Sequence, residues 1–149
     1  MPIVVWVFGR HDRATKHHSL TTRHQREGIT AMKYALLLYA DETVQPDYTT
    51  AEGAAEMQQW FEFSQELGAA GAMLGGEALE GVATATTVQV RDGSTITADG
   101  PFAETKEALG GFYLIDVADL DAAIEWAAKI PNVGYGSVEI RPLMVFDEE

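Results

Sequence analysis

Apolar positions recur along this chain with two different periods. Lys33-Tyr34-Ala35-Leu36-Leu37-Leu38-Tyr39-Ala40 is a near-continuous apolar run, the pattern of a strand buried on both faces. Asp41 to Thr50, with Pro46 inside it, is expected as a loop. Met57, Trp60, Phe61, Ser64 and Leu67 then recur at helical spacing, which predicts one buried face of a helix over about 51–69. Thr50 is placed to cap it, Glu52 lies near its positive end, and Gly68 and Gly71 punctuate its close.

Ala72 to Ala78 predicts a weaker strand, loosened by Gly75-Gly76. Thr86 to Arg91 and Ser94 to Ala98 alternate on either side of Asp92-Gly93. Asp-Gly between alternating runs predicts a hairpin, because both turn residues adopt positive φ. Gly110 to Val117 is another apolar strand. Asp119 caps a second helix whose buried stripe is expected to be Leu120, Ala123, Ile124, Ala127 and Ile130. Lys129 falls in its last turn, Pro131 stops it, and Trp126 lies off the stripe, exposed or against a partner. Val138 to Phe146 is expected as a closing strand, with Pro142 at an edge or bulge.

Without the hairpin, this order is βαββαβ, so the fold class expected is α+β and ferredoxin-like, with an inserted β-hairpin. Two helices cover only one face of a four-stranded sheet. The first strand is apolar on both faces, so a second copy of the chain is the economical cover for the other face.

Composition narrows the chemistry. The 149 residues include no cysteine, which excludes disulfides, thiolate metal sites and a cysteine nucleophile. The net charge of -13 argues against nucleic acid or an anionic membrane surface as a partner. The charge switches sign at Ala31–Met32. Residues 1–31 carry five basic and two acidic residues and all four histidines; the remainder carries five basic and 21 acidic residues. Residues 1–31 are therefore expected to be a loosely ordered N-terminal extension, and 32–149 the domain. The apolar run Ile3 to Phe8 is too short to span a bilayer and lacks the flanks of a signal peptide, so a cytoplasmic protein is expected. The body has no histidine or carboxylate cluster at metal-ligand spacing, no phosphate-binding glycine loop, and no histidine to activate a serine. No metal and no cofactor are expected.

The stretch Asp99-Gly100-Pro101-Phe102-Ala103-Glu104-Thr105-Lys106-Glu107 is distinctive. With Gly110-Gly111-Phe112-Tyr113, Tyr135-Gly136-Ser137-Val138-Glu139-Ile140-Arg141-Pro142, Met32-Lys33-Tyr34 and Gly76-Glu77-Ala78-Leu79, it resembles the YCII-related family in its DGPF-domain branch, over residues 32–147. The resemblance implies a homodimer paired as a dimeric α+β barrel. It also implies company with isomerases, lyases and cofactor-free oxygenases acting on small organic molecules, and a regulatory association with an extracytoplasmic-function sigma factor. Some relatives carry a His/Asp pair for proton transfer; here no histidine follows His24. Fold analogy alone does not license a reaction.

Each candidate residue has two readings. Asp99 is the candidate catalytic base for isomerisation or elimination at a cavity mouth, or simply a turn-former bonding to backbone amides. Pro101 fixes the loop and Phe102 anchors it in the core, or both line a binding site. Lys106 supplies positive potential for an anionic ligand, or belongs with Glu104 and Glu107 to a solvated face. Glu139 and Arg141 share a sheet face, where Arg141 could fork a carboxylate or the two could form a salt bridge. Tyr39 and Asp41 leave the first strand on that face, as ligand contacts or as interface residues. The leading expectation is a small molecule bound in a dimer cavity; the alternative is a non-catalytic regulatory module.

Overall fold

The computed structural model describes residues 31–146. The segment expected as an N-terminal extension, 1–31, lies outside them apart from Ala31. The strands are β1 (Met32–Ala40), β2 (Met73–Ala78), β3 (Thr86–Arg91), β4 (Ser94–Asp99), β5 (Ala108–Val117) and β6 (Ser137–Pro142), with helices α1 (Ala51–Ala69) and α2 (Leu120–Ala127). Four strands form one sheet in the order β2-β5-β1-β6, and every neighbouring pair is antiparallel. The fold is therefore α+β. β1 and β2 run parallel but are not adjacent, as are β5 and β6, so each helix crosses over one intervening strand. The Asp92-Gly93 hairpin forms separately as β3–β4, and both turn residues have positive φ.

Alternation on the central strands puts Tyr34, Leu36 and Leu38 of β1 and Tyr113, Ile115 and Val117 of β5 on one face. That face carries both helices and the hydrophobic core. Thr50 caps α1 as its sequence predicts, its hydroxyl accepting from the Gly53 amide at 3.1 Å. Thr50→Ala is expected to cost about 1 kcal/mol, read by urea unfolding; no change would mean that water replaces the cap.

The buried face of α1 is rotated from the expected one. Trp60, Phe63 and Leu67 are buried, whereas Phe61 is 38% exposed. The stripe i, i+3, i+7 starting at Trp60 wins because Phe63 meets the Tyr113 ring edge-on at 5.1 Å. Ser64, on the expected face, does reach inward and shares a 3.1 Å hydrogen bond with the Tyr113 hydroxyl.

α2 departs in a similar way. Asp119 caps it by accepting from the Ala122 amide at 2.8 Å. Ala123, Ala127 and Ile130 are buried, but Leu120 and Ile124 stand half exposed. Trp126 corrects its expectation: it packs against the core, edge-on to Phe63 at 6.2 Å. The helix ends before Lys129, whose ammonium lies 4.7 Å from the Trp126 ring centre and pairs with Glu66 at 2.8 Å. Such an exposed pair contributes little.

The last strand is shorter than expected. β6 stops at Pro142, and after Leu143 the exposed Met144, Val145 and Phe146 leave the sheet. Pro142 ends an edge strand, where a missing donor does least harm.

Among the described residues, no helix covers the second face of the sheet. Register sets its side chains in rows. Glu77, Phe112, Leu37 and Glu139 form one, from β2 across to β6; Gly75, Leu114, Ala35 and Arg141 form the next. The rows are apolar in the middle, with Glu77, Glu139 and Arg141 at the edges. Leu37, Phe112 and Leu114 are half-buried by their neighbours alone, so the burial on both faces expected for β1 is complete on one side only.

Candidate functional site

Two concave sites lie back to back at one end of the sheet, on either side of β1. Between Leu38 and Tyr39 the β1–β5 register slips, so Leu38 pairs with Gly111 and Tyr39 with Leu109, leaving Gly110 as the extra residue. Such a bulge re-aims side chains at the end of a sheet.

On the bare side, a groove of about 690 Å³ opens beside Tyr39, Val82, Pro101, Phe102, Thr105 and Leu109. Its walls are the two connections that flank the hairpin. Glu42 ties one of them to the end of β1, its carboxylate accepting from the Val82 amide at 2.8 Å. The other wall begins at Gly100, whose φ of 97° only glycine adopts readily. The Gly100 amide donates to Ala85 at 2.7 Å, and its carbonyl accepts from the Thr87 hydroxyl at 2.8 Å, which locks the loop to the hairpin.

The structure divides the candidates named from sequence. Tyr39, Pro101 and Phe102 line the groove. Phe102 does not anchor the loop in the core: it is 79% exposed. The loop is held instead by Gly100 through its amide and carbonyl, and the ring stands at the groove. Asp99 is exposed at the end of β4, paired with Thr86, and does not line the groove. Asp41 caps a 3₁₀ turn over Glu42–Val44, accepting from the Thr43 amide at 2.9 Å and from its hydroxyl at 2.7 Å. These bonds hold its carboxyl below the usual carboxylate range, and Lys106 adds a smaller pull. Lys106 itself is exposed. Glu107 accepts from the Ser137 hydroxyl at 3.1 Å, joining the loop to the start of β6. Glu139 and Arg141 do share the bare face, and pair along their own strand at 3.3 Å with both side chains exposed.

On the helix side lies a second, smaller pocket of about 50 Å³, lined by Leu38, Trp60, Gly111, Tyr48, Tyr135 and Asn132 among others. One carboxylate organises it. Glu56 Oε1 accepts from the Tyr135 hydroxyl at 2.6 Å, the Trp60 indole at 3.2 Å and the Tyr48 hydroxyl at 3.4 Å. Burial first, and then the charge of Glu56, push the Tyr48 hydroxyl up to about 12. Tyr135 is pushed up further by burial and by its hydrogen bond to Glu56. Both phenols therefore stay protonated at neutral pH and act as donors, not bases.

Asn132 is only 5% exposed; its Nδ2 donates to the Tyr39 carbonyl at 3.4 Å, while its Oδ1 has no partner. These residues were not singled out from sequence. The legible signal was the i, i+4 pair Glu56/Trp60 on α1, together with Tyr135 opening a motif that was noted for its resemblance alone.

Among the described residues no group of three or more His, Asp or Glu side chains is placed to hold a metal ion. No described helix is long and apolar enough to cross a membrane.

Comparison with known proteins places these features in a family context. The model of the YCII-related domain matches residues 32–147. An uncharacterised protein of Rhizobium meliloti (strain 1021) is 39% identical over 117 residues, covering 77% of this chain and 94% of that protein.

Proposed function

The chain belongs to the YCII-related family, and from that premise we propose that it binds a small organic molecule in a cavity formed when two copies pair. The chain is ferredoxin-like in this reading, and the bare sheet faces meet as a dimeric α+β barrel. The observation that carries it is the 690 Å³ groove at the end of a helix-free sheet face, with Phe102 of the Asp99-Gly100-Pro101-Phe102 loop exposed at its rim. A volume of that order suits a ligand of metabolite size.

The middle of the face is apolar, with Ala35, Leu37, Phe112 and Leu114 in register, as a pairing surface requires. Glu139 and Arg141 at its edge are self-complementary in charge, which suits a two-fold interface. The geometry favours binding over proton transfer. Asp99 stands in solvent on the hairpin, outside the groove lining, and a catalytic base must lie within reach of the bound molecule.

Native mass spectrometry tests both parts. The expected result is twice the chain mass, with an added small mass lost on denaturation. Leu37→Glu with Leu114→Glu is expected to give a folded monomer without the added mass. Phe102→Ala is expected to weaken ligand retention while leaving the melting temperature within about 2 °C, because an exposed ring contributes little to the core. A monomeric parent chain would overturn the pairing. A dimer whose ligand content ignores Phe102 would move the site out of the groove. If Asp99→Asn and Arg141→Ala leave both binding and turnover unchanged, neither residue belongs to the site.

A further inference from the structure

We propose that the pocket between α1 and the end of β1 is a second ligand site, which takes a small primary ammonium ion. It is separate from the groove, on the opposite side of the sheet, and does not depend on pairing of two chains.

Four observations converge on that chemistry. Asn132 Oδ1 is buried without a partner, an unmet acceptor that calls for a donor. Its orientation follows from the amide, since Nδ2 is committed to the Tyr39 carbonyl. Glu56 is half-buried and accepts three hydrogen bonds, but takes part in neither of the ion pairs found among the described residues, Lys129–Glu66 and Arg141–Glu139. Glu56 does not line the pocket itself, but three lining residues, Tyr48, Trp60 and Tyr135, donate to it, so its charge lies one hydrogen bond behind the wall and favours a cation over an anion there.

Trp60, Tyr48 and Tyr135 all contribute to the lining, and aromatic walls around a cation add attraction to their ring faces. Among the described residues no lysine or arginine lines the pocket, so its described wall offers an anion no counter-charge. Size sets the upper limit. The pocket's roughly 50 Å³ holds about three or four water-sized groups. An alkylammonium of two carbons fits that limit, with N–H bonds toward Asn132 and its ethyl group against Leu38 and Gly111.

The test is a titration of the full chain with ethylammonium chloride, followed by NMR at the Trp60 indole N–H and the Asn132 side-chain amide. Sodium chloride and ethanol are the controls, matched for salt and for shape. Saturable shifts at both groups with ethylammonium alone are the expected result. Glu56→Gln keeps an acceptor for the wall but removes the charge behind it, and should weaken binding about tenfold, the loss of a nearby counter-charge. Ala78→Leu fills the pocket from β2 while leaving the Glu56 and Asn132 side chains unaltered, and should abolish the shifts.

The proposal is overturned if ethylammonium moves these resonances no more than sodium chloride does. It is also overturned if ethanol binds as tightly, or if Ala78→Leu titrates like the parent chain. The first of these results would leave the pocket to water.

Discussion

Replacing Gly136 with alanine should destabilise the protein by about 3 kcal/mol or more, at the upper end of overpacking costs. A Cβ at this position would fall on the Tyr39 carbonyl oxygen, far inside van der Waals contact, and would lie 3.1 Å from the Ala40 side chain and 3.2 Å from Asn132 Nδ2. The obstacle is backbone on the central strand β1, so it cannot swing away as a long side chain would. Its neighbour Asn132 donates its side-chain amide to the same carbonyl.

The substitution therefore strikes both sites at once. Tyr39 borders the groove and Asn132 lines the pocket behind it. Gly134→Ala, two residues away, meets nothing within 4 Å and serves as the control; it should change stability by less than about 0.5 kcal/mol. Urea denaturation of the two variants decides the matter. Equal stabilities would show that the β1 end yields easily, and would remove the rigid wall between the two sites.

Stability should also fall steeply between pH 10 and pH 12, and Tyr113 should be a principal cause. Burial pushes its hydroxyl up from 10.0 to about 12, and the hydrogen bond with Ser64 opposes it. An acid whose pKa is raised on folding favours the native state while it is protonated. Its contribution is whole below the unfolded pKa and is lost as pH rises through the folded one. The slope from one such group is about 1.4 kcal/mol per pH unit across that window.

Tyr48 and Tyr135 move the same way, but each is only half-buried, so solvent screens part of their effect. Tyr113→Phe should flatten the alkaline slope by close to that one-group value, and cost about 1 kcal/mol at pH 8 from the lost hydrogen bond to Ser64. Unfolding free energies measured at pH 8, 10 and 11 check both. If the variant keeps the parent's alkaline slope, the loss belongs to other groups.

Much of the fold was open to reading because local rules dominate where the chain is local. Thr50 and Asp119 cap helices through their own side chains within three residues. Asp92-Gly93 turns the hairpin because both residues accept positive φ. No distant partner is needed for either. The helix faces were read less well. Phe61 and Phe63 are equally apolar, and choosing between them depends on where Tyr113, fifty residues on, places its ring. Trp126 shows the same limit, since only the position of Phe63 makes it a core residue.

The candidate sites divide along the same line. Pro101 and Phe102 were legible as a distinctive loop, and they do border the larger groove. That Phe102 points to solvent was not legible, because loop exposure depends on what packs beneath the loop. The Glu56 cluster gathers residues from the loop before α1, from α1 itself and from the connection after α2, where Tyr135 lies 79 positions beyond Glu56. Each residue alone is unremarkable in sequence.

The sequence by itself determined the element order, the caps, the hairpin turn and the α+β class, since these follow from side-chain period and backbone preference over a few residues. Only the tertiary structure decided which aromatic faces the core, that both described helices lie on one sheet face, and that a single carboxylate gathers two phenols and an indole. Those outcomes depend on distances between residues far apart in the chain, and such distances are set by how the layers pack.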